Sequence, residues 1–149
     1  MSIIFSKKCE YGLQAILYLS AHTNEGMVSA EEISKALEIP KEFVSKILQE
    51  LTSSGIVMSK KGKSGGFSLD KPTSKIRLID VVIALDGFEI FNKCVLGFPN
   101  CSNEFPCPVH HNWVKVSKET YAMLSEATLD EFLHRTIRKI DSIKDVKSP

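Results

Sequence analysis

The chain has 149 residues, 43% of them apolar, and a formal net charge of +1. This length and composition predict one compact core with an appended region. The near-neutral charge does not by itself indicate a nucleic-acid partner, so the placement of the basic residues matters. The longest purely apolar stretch, Val81–Leu85, is too short to cross a membrane, and the first residues do not match a signal peptide. We therefore expect a cytoplasmic protein without a membrane partner, whose clustered cysteines favour metal over disulfides.

The first half of the chain predicts three helices. Ser6 can cap a helix that runs to about Ala21, and the capping box Ser29–Glu32 opens a second, short helix. After the tight connection at Pro40, the segment Lys41–Ser53 is strongly amphipathic. We expect its buried face to consist of Phe43, Val44, Ile47, Leu48 and Leu51.

The opposite face of this third helix and the segment after it predict a DNA-binding surface. Two short strands, Ile56–Met58 and Phe67–Leu69, flank a basic, glycine-rich tip, and helix, turn, helix and wing together are typical of a winged helix-turn-helix. The candidates for contacts with base edges in the major groove are Ser45, Lys46 and Gln49. The candidates for contacts with phosphates and the minor groove are Lys60, Lys61, Lys63, Ser64 and Gly65. A merely solvated surface is the alternative for each of these residues.

We assign residues 1–75 to this DNA-binding domain and residues 76–149 to a second region. The second region should contain a cysteine loop, a long helix over about residues 108–126, and a C-terminal helix over about residues 129–144 that packs back on the first domain. The fold class is therefore mainly α with a small β-wing. A stripe on one side of the long helix predicts a dimer interface, with packing inside the same chain as the alternative. The stripe consists of Val109, Trp113, Val116, Thr120, Met123 and Leu124.

Three of the four cysteines, Cys94, Cys101 and Cys107, fall in a loop between helical segments, whereas Cys9 is most easily explained as a buried small apolar residue. Several thiolates on loose backbone suit an iron–sulfur cluster or a zinc ion. The open spacing lacks the Cys-x2-Cys pair usual for zinc, and His110 follows one helical turn after Cys107. A redox protein without DNA is a third alternative. With no catalytic motif or nucleotide-binding loop, we expect neither an enzyme nor a small-molecule substrate.

Several segments together resemble the IscR/NsrR-type regulators, also called the Rrf-two family. They are Tyr11–Leu13, Val44–Leu51, Gly55–Val57, Lys61–Phe67, the three loop cysteines, Cys107–His110 and Thr128–Glu131. The resemblance implies a homodimer that crosses at the long helix. It also implies an iron–sulfur cluster that controls promoter binding in response to iron–sulfur status, redox state or nitric oxide. The 2Fe-2S form is favoured, with 4Fe-4S as the alternative.

This chain departs from the family pattern at two positions and leaves one ligand open. The first cysteine gap has six residues where the IscR type more often has five, and Ser45 stands where an acidic residue is common. His110 is similar to the IscR-type fourth ligand. Glu10 stands where NsrR-like members place a carboxylate ligand from the partner subunit. The fourth ligand is therefore open between these two residues, with Cys9, solvent or a small thiol as further alternatives.

Overall fold

A computed structural model describes residues 4–147, with side chains up to Asp145. Within that range the chain forms six α-helices and one antiparallel pair of strands. The elements are α1 (Lys7–Ala21), α2 (Ala30–Leu37), α3 (Lys41–Ser53), β1 (Val57–Lys60), β2 (Gly66–Leu69), α4 (Leu78–Asp86), α5 (His110–Ser125) and α6 (Leu129–Lys147). The predicted class, mainly helical with a small β-wing, is confirmed. Among residues 4–147, no helix combines the length and apolar character that a membrane crossing requires.

Local capping sets the beginnings of the first two helices. The Ser6 hydroxyl accepts a hydrogen bond from the backbone N–H of Cys9 at 3.0 Å, and the Ser29 hydroxyl accepts one from that of Glu32 at 3.0 Å. Each bond satisfies a backbone donor that has no partner inside the helix. The Tyr18 hydroxyl donates to the Glu32 carboxylate at 2.8 Å and so joins α1 to α2.

A backbone bridge next to Gly66 joins the wing to the segment that precedes α2. In the strand pair, Val57 lies opposite Leu69, and Lys60 lies opposite Gly66. Beside it, the Val28 N–H donates to the Phe67 carbonyl at 2.8 Å, so β2 also contacts the residues that precede α2. Gly66 has φ +142°, and a Cβ there would lie 2.5 Å from the Val28 carbonyl oxygen. A side chain at Gly66 would therefore push the wing away from the helical part.

One hydrophobic core runs through both predicted regions. It includes Ile33 and Leu48, which are fully buried in the DNA-binding part, and Leu129 and Ile140, which are buried on α6. α6 lies against α1 and α2, and α4 lies against α1, α3 and α5. The division at residue 75 remains a prediction.

The structure corrects three details of the predicted helices. Phe43 is 54% exposed instead of buried, because it stands at the edge of the arc that Val44 and its neighbours bury. The long helix begins at His110 rather than Pro108, since the chain first turns so that the His110 N–H donates to the Cys107 carbonyl at 3.1 Å. α6 continues to Lys147 instead of ending at about residue 144.

Candidate metal centre and nucleic-acid interface

The chain leading to the first loop cysteine is anchored on α5. The Trp113 indole N–H donates to the Lys93 carbonyl at 2.7 Å, and the Ser117 hydroxyl donates to the Phe91 carbonyl at 2.7 Å. The Phe91 ring also packs edge-on against Tyr121, with 5.4 Å between centroids. These contacts hold the backbone immediately before the first cysteine beside the beginning of α5.

The three loop cysteines come together although six and five residues separate them in the chain. The Sγ atoms of Cys94, Cys101 and Cys107 all lie within 4.8 Å of one another. Cys94 Sγ and Cys107 Sγ are 3.7 Å apart, and the Cys107 N–H points at Cys101 Sγ at 3.4 Å. All three side chains are partly exposed. The arrangement offers three sulfur ligands around one point, with access from solvent.

His110 borders this group as the first residue of α5. Its Nδ1 lies 3.3 Å from Cys101 Sγ, and its Nε2 lies 3.0 Å from Asn103 Oδ1. The Asn103 amide oxygen accepts from one ring nitrogen and leaves the other facing the sulfur. Asn103 was not predicted from the sequence, where its only signal is its place in the loop, two residues after Cys101.

The pKa values of Cys94 and Cys107 are shifted in opposite directions. Desolvation opposes ionisation of Cys94, but hydrogen bonds from the backbone N–H groups of Phe98 and Leu96 outweigh it and hold its pKa below the usual value. Desolvation raises the pKa of Cys107, and the neighbouring thiols of Cys94 and Cys101 raise it further. Cys94 therefore releases its proton more readily than Cys107 as a soft metal approaches.

Two other candidate ligands lie on α1. Glu10 Oε2 is 3.3 Å from Lys7 Nζ, and the carboxylate is outside the group of sulfur atoms. Cys9 is fully buried, and burial together with the nearby Asp86 carboxylate raises its pKa to about 12. Cys9 therefore behaves as the buried apolar residue predicted from the sequence. Glu10 could act as a ligand only across a subunit boundary and after leaving Lys7.

The residues predicted to contact DNA lie mostly on the surface. Lys46 and Gln49 on α3 are exposed, and Ser45 is half-buried. On the wing, Gly65 is half-buried, and a Cβ there would collide with the Lys60 carbonyl. The exposed wing candidates are Lys60, Lys61, Lys63 and Ser64.

The predicted stripe on α5 divides into an exposed and an internal part. Val116 and Met123 are 47% and 61% exposed, and Val109, at the N-cap, is 36% exposed. The half-buried Thr120 donates its hydroxyl to the Val116 carbonyl at 2.8 Å, which leaves its methyl group for packing. In contrast, Leu124 is 3% exposed and belongs to the core of its own chain, so it offers a partner no free surface. Trp113 is half-buried against the cysteine loop.

A winged helix-turn-helix joined to a three-cysteine loop defines a class of DNA-binding regulators, and comparison with known proteins gives the family. The family model Rrf2, described as an iron-dependent transcriptional regulator, matches residues 5–135. An HTH-type transcriptional regulator of Aquifex aeolicus (strain VF5) is 33% identical over 135 residues, which cover 89% of this chain and 92% of that protein. The chain belongs to the Rrf2 family and is a transcriptional regulator.

Further relatives agree with this assignment. An HTH-type transcriptional regulator of Haemophilus influenzae is 29% identical over 140 residues, covering 94% of this chain and 93% of that protein. Among solved structures, IscR of T. potens has a TM-score of 0.68 and 26% identity, and the match covers 87% of this chain and 85% of that one. CymR, the global cysteine regulator of B. subtilis, has a TM-score of 0.73 at 20% identity, covering 88% and 96%. At 20% identity, the match to CymR shows only that the two proteins share a fold.

We expect the wing lysines to bind phosphates. The Lys61→Ala and Lys63→Ala double variant should weaken binding to all duplexes alike, and the slope of log affinity against log salt should fall by about 0.9 for each lost contact. Fluorescence anisotropy over a salt series measures both effects. The matched control is Lys139→Ala on α6, which removes an exposed lysine away from the wing. An unchanged affinity and slope in the double variant would show that these lysines do not contact DNA.

Proposed function

We propose that this protein controls transcription through an iron–sulfur cluster that Cys94, Cys101 and Cys107 hold and that changes its affinity for promoter DNA. The observation that carries the proposal is the convergence of the three sulfur atoms within 4.8 Å in a chain whose family model is described as iron-dependent. The site is a loop anchored on α5, and α5 packs on α4, which in turn contacts α3. Loading of the loop can therefore alter the position of the DNA-binding helices.

The donor set fits such a cluster. Three thiolates and the His110 imidazole make four ligands of the kind that hold iron–sulfur centres, and Asn103 orients the imidazole toward Cys101. When bound, the cluster would supply one-electron redox chemistry and iron that small oxidants or nitric oxide can attack. The chain itself supplies the access, because the three cysteines are partly exposed. We propose the 2Fe-2S form, with 4Fe-4S as the form to be separated from it by iron analysis.

A structural zinc site is the second candidate. Three cysteines and one histidine are a common ligand set for tetrahedral zinc, and the contact between Cys101 and His110 brings these ligand types together. Zinc would stabilise the loop but has no redox chemistry of its own, so the site would not exchange electrons through its metal. The family's description as iron-dependent favours the cluster.

We further propose a homodimer that binds two DNA half-sites. The exposed Val116 and Met123 on α5 supply an apolar surface for a second copy, and winged-helix dimers commonly place two recognition helices in successive major grooves. The proposed function is tested by the affinity of the protein for a selected duplex before and after anaerobic cluster removal. The proposal expects a change in affinity that reloading iron and sulfide reverses. Equal DNA affinities before and after cluster removal would show that the cysteine site does not control DNA binding.

The fourth ligand should be His110 rather than Glu10. His110→Ala should shift the visible absorbance and speed cluster loss in air, because the imidazole already faces Cys101 within the same chain. Glu10→Ala should leave the spectrum nearly unchanged, since Glu10 pairs with Lys7 on α1. Anaerobic absorbance and circular dichroism compare the two variants. The reverse pattern would assign the ligand to the partner's α1 and make nitric oxide the first stimulus to test.

A further inference from the structure

Phe43 is an exposed aromatic residue on the helix proposed to enter the DNA groove. It lies in the first turn of α3, and 54% of its surface is open. Its neighbour on α1 is Tyr11, whose ring centroid is 6.1 Å away at an interplanar angle of 52°. On α1, Lys7 Nζ lies 5.1 Å from the Tyr11 ring centroid. The Phe43 ring is therefore held on one side and free on the other.

Charged side chains of both signs lie near this ring, and Glu42, the residue before it, is exposed. Lys46 follows Phe43 by one helical turn and is exposed, as is Lys41 at the start of α3. Lys8 on α1 reaches across to Glu50 of α3 at 3.2 Å. The charges near the ring are therefore nearly balanced, and the exposed Lys41 and Lys46 can reach the phosphates of a polyanionic partner on either side of it. Such a partner must also offer an apolar group to the ring.

Duplex DNA offers such an apolar group at one place. The C5-methyl group of thymine projects into the major groove, and residues at the N-terminal end of a recognition helix approach the base edges there. We propose that Phe43 packs against a thymine methyl group in each half-site and so selects thymine at that position. This inference rests on the proposed DNA-binding function and adds a specificity-determining residue to it.

Tyr11 is the positioning residue in this arrangement. Its ring contacts Phe43 on the side that faces α1, so the rotamers of Phe43 are restricted before DNA arrives. Less conformational freedom is then lost when the contact with the base forms. Tyr11→Ala should therefore reduce the preference for thymine while keeping the apolar side chain at position 43.

Deoxyuridine tests the contact directly, since it differs from thymidine only by the missing methyl group. A preferred duplex is first selected from a random pool with the full-length protein, and each thymine is then replaced singly. For the unaltered protein, one thymine in each half-site should lose about fourfold in affinity on replacement, the factor expected for burial of one methyl group. Phe43→Ala should bind the thymine and uracil duplexes equally, and Phe43→Leu should keep part of the difference. Ile137→Ala, at another exposed apolar residue, should keep all of it.

Comparison of Phe43→Ala with the unaltered protein, on the thymine and the uracil duplexes, distinguishes a contact with the base from a structural role of Phe43. A thymine preference of the same size in Phe43→Ala and in the unaltered protein would overturn it, because the coupling between the ring and the methyl group would then be absent. A lower melting temperature or an altered sedimentation coefficient of Phe43→Ala, with the preference retained, would show a structural role and overturn it as well. Failure of the unaltered protein to select any sequence would instead contradict the proposed DNA-binding function itself.

Discussion

Replacement of Cys94, Cys101 or Cys107 by serine should remove nearly all bound iron and the visible absorbance of the anaerobically purified protein. Each cysteine supplies one of the three sulfur atoms that lie within 4.8 Å of one another. A serine hydroxyl is a poor substitute, because it is harder, shorter and far less acidic than a thiol. The helical circular dichroism should change little, since the loop cysteines are partly exposed and lie outside the core.

The control for this experiment is Cys9→Ala. Cys9 is fully buried on α1 and contributes no sulfur to the group, so this variant should keep its iron and lose only thermal stability. The expected loss is about 1 kcal/mol, as is usual for removal of a small buried group. Full iron content in all three serine variants would contradict the assignment of the loop as the metal site.

The second large effect concerns the oligomeric state. Val116→Glu combined with Met123→Glu should convert the proposed dimer to monomers, because two carboxylates from each chain would be buried in an apolar contact without partners. Val116 and Met123 are 47% and 61% exposed in the single chain, so the monomer can carry the new charges in water. Sedimentation velocity should show the smaller species, and its helical signal should be retained.

A charge-matched control distinguishes the interface from a general effect of net charge. Lys115→Glu also changes the net charge by two, and Lys115 is exposed on a different side of α5 from Val116. This variant should remain a dimer. A folded Val116→Glu and Met123→Glu variant that still sediments as a dimer would show that these residues do not form the interface.

The helices could be predicted well because their determinants are local. Ser6 and Ser29 each satisfy a backbone N–H three residues further on, and the apolar spacing in α3 identifies its buried residues. Apolar spacing gave the wrong result for Phe43, which lies at the edge of the buried face of α3. Phe43 has the spacing of a core residue, but whether the arc closes over it depends on Tyr11 and the rest of α1, which lie far away in the chain.

The grouping of the three loop cysteines could be predicted from the sequence, but the contacts that support the loop could not. Three cysteines and a histidine within one short segment stand out by residue type and spacing. The hydrogen bonds from Trp113 and Ser117 reach backbone carbonyls that lie 20 and 26 residues away in the chain. Because any residue can supply a backbone carbonyl, the sequence does not identify these acceptors. Likewise, Leu124 shares the spacing of the exposed stripe on α5, and only the packing of the other helices shows that it belongs to the core.

Iron, acid-labile sulfide and zinc measured together in the anaerobically purified protein test the central claim most directly. An iron–sulfur cluster on the three cysteines predicts iron and sulfide in equal amounts, with about two of each per chain for the 2Fe-2S form and about four for the 4Fe-4S form. Zinc should be far below one atom per chain. One zinc per chain without sulfide would contradict the account and assign the cysteines and His110 to a structural metal site.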